Sequence, residues 1–109
     1  MGAPTHGPYR RNMVTLHIEH PITDFATWRT AFGRFAEVRR NAGVTAERIM
    51  RPVDEPHYIV VALDFDSAES AGSFKAFLET QVWSSPANAP GLDGHPRTMI
   101  LEPAPIAAD

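Results

Sequence analysis

Residues 45–65 read TAERIMRPVDEPHYIVVALDF, and this stretch decides the fold. Ile49, Met50 and Val53 stand on one arm, and Ile59, Val60, Val61, Ala62, Leu63 and Phe65 on the other, with Asp54, Glu55 and Pro56 between them. Two apolar runs separated by a short polar break that contains proline spell two strands and a turn. The second arm is apolar at consecutive positions as far as Asp64. A strand with one wet face alternates, so this arm is expected to be covered on both faces, by helices on one side and by a partner or a cavity on the other.

Upstream of the hairpin, residues 13–20 alternate: Val14, Leu16 and Ile18 fall on one face, and Thr15, His17 and Glu19 on the other. That is the pattern of a half-buried strand. Pro21 closes it, and Thr23 or Asp24 can cap a helix by accepting from an unpaired backbone N–H. Phe25, Trp28, Phe32, Phe35 and Val38 then recur at helical spacing, predicting one helix to about Ala42, with Phe32 fully buried at mid-stripe and Gly43 as the stop. Downstream, Ser67 caps a second helix whose stripe is Ala71, Phe74, Phe77, Leu78 and Val82. Residues 84–96 hold three prolines and two glycines and read as a long loop. Residues 97–102 give a last strand. The order strand, helix, strand, strand, helix, strand predicts an α+β fold, the ferredoxin-like βαββαβ arrangement, with an antiparallel sheet and both helices on one face. Residues 13–103 form the single domain, flanked by a flexible arm over 1–12 and a tail over 104–109.

Composition narrows the function classes. The chain has 109 residues, 43% of them apolar and 21% charged, with a formal net charge of -3, which is ordinary for one globular domain. Without a basic field, nucleic acid is not an expected partner. Cysteine is absent, which removes disulfides, thiol catalysis and Cys-containing zinc sites. No apolar run approaches the roughly 20 residues that cross a bilayer, so no membrane association is expected and a cytoplasmic location is. A sheet with helices on one face leaves Tyr58, Val60 and Ala62 on the other, where a second copy packing sheet against sheet would cover them. A homodimer is therefore expected, with a cavity either between sheet and helices or inside the joint barrel.

His20, Asp24, Phe25 and Trp28 at the first strand-to-helix junction, Arg39-Arg40 with Ala42-Gly43-Val44 at the helix end, Asp54 and Pro56 in the turn, and Asp64-Phe65-Asp66-Ser67 before the second helix carry a resemblance. Over about residues 13–103 the chain resembles the dimeric α/β barrel superfamily, which includes antibiotic-biosynthesis monooxygenase-like proteins, small polyketide cyclases and muconolactone isomerases. The resemblance implies a cofactor-independent monooxygenase or cyclase acting on an aromatic or polyketide-like small molecule. It implies no cofactor. It equally admits a non-catalytic dimeric module that binds a small molecule or is purely structural. The haem-degrading branch, which uses an Asn on the first strand and a Trp in the second helix, is a poor match: Asn12 precedes the strand and Phe77 holds the helical position.

Acid/base candidates are His17, Tyr58 and His95. Ligand-binding candidates are Glu19, Trp28, Asp64 and Trp83. His17 and Glu19 either meet inside a barrel, where the carboxylate orients the imidazole, or lie on an exposed strand face. His20 reads as a junction residue on the opposite face from His17, so the two are poor joint metal ligands and no metal site is expected. Asp64 is either catalytic or paired with Arg48, Arg51 or Arg97. Tyr58 either bonds a ligand or sits at the dimer seam. Trp28 belongs to the helix stripe, and Trp83 either walls a pocket or clips the loop. His95 would reach the site if residues 84–96 close over it. A pocket of a few hundred Å³ with convergent polar groups would favour the enzyme over the binding module.

Overall fold

The computed structural model describes residues 13–105. The arm expected over 1–12 lies outside the described residues, as does 106–109 of the expected tail.

Strands β1 (Val14–Pro21), β2 (Val44–Met50), β3 (Tyr58–Phe65) and β4 (Arg97–Leu101) form one four-stranded antiparallel sheet in the order β2-β3-β1-β4. Helices α1 (Phe25–Arg34), α2 (Ala36–Ala42) and α3 (Ala68–Phe77) complete the ferredoxin-like fold. The central pair β1 and β3 is in register from Val14 opposite Phe65 to Pro21 opposite Tyr58. Every inward residue of this pair is buried: Val14, Leu16, Ile18 and His20 on β1, and Ile59, Val61, Leu63 and Phe65 on β3. Burying each large apolar side chain contributes about 1.5–3 kcal/mol, so these two strands carry much of the core. Ala71 and Phe74 of α3 and Trp28 of α1 close it from the helical side.

Both predicted caps form. The Asp24 carboxylate accepts from the Thr27 N–H at 2.9 Å, and the Ser67 hydroxyl accepts from the Ser70 N–H at 3.1 Å, each worth about 1 kcal/mol. Gly43, at φ 105°, ends α2 in the left-handed conformation. The single first helix that the stripe predicts is instead two, because Phe35 leaves helical geometry at φ -104°, ψ 17°. Phe32, expected to be fully buried, is only partly so: it stacks on Trp28 with ring centroids 4.8 Å apart and faces a cavity instead of the sheet.

After α3 the chain widens into a π-helical turn, Leu78–Val82, closed by the Trp83 N–H donating to the Leu78 carbonyl at 2.8 Å. The extra residue in the turn lets Leu78, Val82 and Trp83 all face the same cavity. No helix among the described residues is long and apolar enough to cross a membrane.

Segment 84–96 is tied to the sheet at its far end. Leu92 bridges to Ile22, Thr23 donates to the Gly91 carbonyl at 3.0 Å, and Asp93 donates to the Pro21 carbonyl at 3.2 Å. Gly91 is buried against the start of α1, where an added Cβ would lie 2.8 Å from Trp28 N and Cα. Only glycine lets the two backbones approach this closely. Gly91→Ala is therefore expected to lower stability by about 1–3 kcal/mol in chemical denaturation. Gly33→Ala, with nothing within 4 Å of the new carbon, should leave stability unchanged or raise it by about 0.5–1 kcal/mol. Equal effects at the two positions would mean that the segment is not seated on α1.

Candidate functional site

The two faces of the sheet present two different sites. On the open face, away from the helices, β1 contributes Thr15, His17 and Glu19, and β3 contributes Tyr58, Val60, Ala62 and Asp64. Glu19 is the hub of a small network: His17 Nε2 lies 2.8 Å from one carboxylate oxygen, and the Tyr58 hydroxyl donates to the other at 2.8 Å. An ionised carboxylate only accepts, so His17 carries its proton on Nε2. These bonds, from His17 first and Tyr58 second, hold the Glu19 carboxyl below its ordinary range. The same bond raises the Tyr58 phenol, because losing its proton would set two negative oxygens against each other.

Asp64 is paired. Arg48 grips it through two nearly parallel bonds of 3.0 and 3.1 Å, and Thr15 donates at 2.7 Å. Arg48 first, then Thr15, lowers the Asp64 carboxyl. Around these polar clusters the face is apolar and exposed: Met50 is 47% accessible, Met99 50% and Leu101 43%. A shallow groove of about 570 Å³ runs over Thr15, His17, Arg48, Met50 and Leu101.

On the helical face lies a partly enclosed cavity of about 80 Å³. Its floor is Ile18 and His20 of β1 with Val61 and Leu63 of β3. Trp28, Phe32 and Phe35 form one wall, and Phe74, Leu78, Val82 and Trp83 the other. Asn88, Ala89, Gly91 and Leu92 bring segment 84–96 to its edge. Within this lining the titratable side chains are His20 and Arg39, and both are nearly sequestered, at 3% and 5% accessible.

His20 is fixed by one bond and Arg39 by two, and each keeps one nitrogen without a partner among the described residues. His20 Nδ1 is 2.8 Å from the Pro21 carbonyl, which can only accept, so Nδ1 carries the proton and Nε2 is left with its lone pair. Burial disfavours the imidazolium and lowers the His20 pKa from 6.5, opposed by the bond to Pro21. Arg39 donates from Nε to Glu47 at 2.7 Å and from one Nη to the Phe32 carbonyl at 2.7 Å, with its guanidinium 3.5 Å from the Phe32 ring centroid. No buried side-chain polar atom lacks a partner among the described residues, so neither His20 Nε2 nor the second Arg39 Nη is walled in by apolar groups.

The sequence-derived candidates thus divide. His17, Glu19 and Tyr58 come together on the open face, and Asp64 stands on the same face with Arg48. Trp28 and Trp83 both line the helical cavity. His95 is exposed and lines neither site. Among the described residues no group of His, Cys, Asp and Glu could hold a metal ion. His20, Arg39 and Asn88 were not singled out as site residues by sequence reasoning. Two of the signals were present: His20 shares a face with Val14, Leu16 and Ile18, and Arg39 continues the spacing of Trp28, Phe32 and Phe35.

No family model matches the chain, and no curated protein matches it in sequence. Solved structures do. SnoaB, a cofactor-independent oxygenase from Streptomyces nogalater, superposes with a TM-score of 0.65 at 12% identity, over 90% of this chain and 99% of that chain. The fold is theirs. A monooxygenase from the gene ActVA-Orf6 of Streptomyces coelicolor, in complex with nanaomycin D, gives 0.57 at 17% identity over 92% of this chain and 94% of that chain. A dimeric ferredoxin-like protein from an uncultured marine organism gives 0.55 at 13% identity, over 92% of this chain and 96% of that chain. The structural neighbours are the antibiotic-biosynthesis monooxygenase-like and dimeric ferredoxin-like proteins that the sequence resembles, and at these identities they define the fold alone.

Proposed function

We propose that the protein is a cofactor-independent oxygenase of a small planar aromatic molecule, which binds in the helical cavity of each protomer. The observation that carries this reading is the lining: aromatic side chains on both walls, with His20 and Arg39 as the titratable groups among them. The fold shared with SnoaB and with a ligand-bound monooxygenase supports it. At about 80 Å³ the cavity is smaller than the roughly 150 Å³ known to hold benzene. A one-ring ligand therefore requires the half-buried Phe32 and Trp83 to turn aside, and larger polycycles require more. This modest volume is also what favours the second reading, a binding module without turnover, since usual ligand pockets are about 300–1,000 Å³.

A second copy of the chain covers the open face in this proposal. Met50, Met99 and Leu101 form an apolar fringe around the paired polar groups, and burial of about 1,600 Å² in total is typical of a stable interface. His17, Glu19 and Tyr58 then hold the seam, apart from the chemistry. A single protomer mass by light scattering at micromolar concentration would contradict this part.

The chain holds two tryptophans, and both line the cavity, so its intrinsic fluorescence reports on the site. A one-ring hydroquinone should quench that fluorescence saturably and consume dioxygen with no added metal or cofactor. Ala89→Phe, which fills the cavity edge from a half-buried position, should weaken binding by about tenfold or more with little change in melting temperature. Quenching without oxygen uptake would favour the binding module, and unaltered binding by Ala89→Phe would place the ligand elsewhere.

A further inference from the structure

Two residues that line the helical cavity, His20 and Arg39, each keep one nitrogen for which no partner appears among the described residues, and these nitrogens differ in kind. His20 Nε2 is an acceptor, because the Pro21 carbonyl fixes the proton on Nδ1 at 2.8 Å. Burial lowers the His20 pKa, which favours the neutral ring that bears this lone pair. The second Nη of Arg39 is a donor on a cation that does not titrate, and Glu47, bonded at 2.7 Å to Nε, already balances its charge. A ligand in this cavity therefore meets an acceptor that needs a proton and a cation that is half-satisfied. A carboxylate or other fixed anion would face the His20 lone pair unfavourably. A methyl ether or hydrocarbon would leave it unpaired in an apolar setting, which is costly.

We infer that the ligand is a neutral phenol or enol whose O–H donates to His20 Nε2, and that His20 is the residue that takes this proton. The inference rests on the helical cavity being the binding site. In the step, the O–H bond breaks with its electron pair left on the ligand oxygen, and an N–H bond forms at Nε2. The resulting imidazolium and Arg39, which lines the same cavity, then offset the charge of the oxyanion. His20 is buried at the end of β1 with Nδ1 held by the Pro21 carbonyl, so its ring is already oriented and loses little freedom on binding. His17, bonded to Glu19 on the opposite face of the same strand, has no part in the step.

The test compares phenol with anisole, which has the same ring and lacks the donor, by calorimetric titration of the full chain. Wild type should prefer phenol by about tenfold or more, the usual penalty for leaving a polar group of a site unpaired. His20→Asn keeps an amide N–H near the Nδ1 position, to serve the Pro21 carbonyl, and removes the Nε2 acceptor. It should bind both ligands within about twofold of each other. Retention of the full preference by a folded His20→Asn would overturn the assignment.

Should that variant not fold, the wild type alone decides the matter by pH. Protonation turns Nε2 from acceptor to donor, so the preference for phenol should be present at neutral pH and lost as pH falls below 6.5 through the lowered His20 pKa. The charged groups of the cavity lining allow the reading: α1 contributes none, and α2 contributes Arg39, which is bonded to Glu47 of β2. β3, α3, the π-helical turn and segment 84–96 add no titratable side chain to the lining. A preference that stays constant through this range overturns the inference while leaving the cavity as the binding site. Absence of binding by either ring overturns both.

Discussion

The register of β1 against β3 is the constraint on which the rest depends. With Leu16 opposite Leu63 and Glu19 opposite Val60, each residue of the two central strands is committed to one face, and a slip by one would exchange them all. The helices cover only one of those faces. Val14, Leu16, Ile18, Ile59, Val61, Leu63 and Phe65 are thereby spent on the core. His17, Glu19, Tyr58 and Asp64 are left on a surface where each must find a polar partner, and each does.

His20 is the exception, the one polar residue among the inward positions of β1 and β3. It occupies an inward position at the end of β1, where its neighbours in the pattern are aliphatic, and burying a polar ring there is unfavourable unless it is bonded. The Pro21 carbonyl satisfies one nitrogen, and the other has no partner among the described residues. Arg39 is handled similarly: Glu47 and the Phe32 carbonyl satisfy two of its nitrogens, and the Phe32 ring lies against the guanidinium. Gly91 and the π-helical turn complete the enclosure by bringing segment 84–96 and Trp83 to the cavity from outside the sheet.

Much of this was legible in the residues, for identifiable reasons. Alternation in residues 13–20 and the polar break at residues 54–56 placed β1 and the β2-β3 hairpin. Asp24, Ser67 and Gly43 marked helix ends because their local bonding and backbone preferences act at single positions. The break at Phe35 was hidden, since the apolar stripe runs through it without interruption. The π-helical turn was hidden because a 3.6-residue period already puts Leu78 and Val82 together, and only the Trp83 to Leu78 bond reveals the extra residue. The candidate site was legible in its walls, Trp28 and Trp83, and less so in its polar groups. A histidine among aliphatic residues reads as a junction, and Arg39 beside Arg40 reads as a solvated helix end, unless its place on the aromatic stripe is given more weight.

The central claim is a division of labour between faces: ligand on the helical side, self-association on the open side. Methyl NMR during titration with phenol tests it most directly, because the two faces carry different methyl groups. The account predicts shifts at Ile18, Val61, Leu63, Leu78 and Val82, with the Met50 and Met99 methyls unmoved. Shifts concentrated at Met50, Met99 and Leu101, with the helical cavity silent, would contradict it and put the ligand on the face of His17.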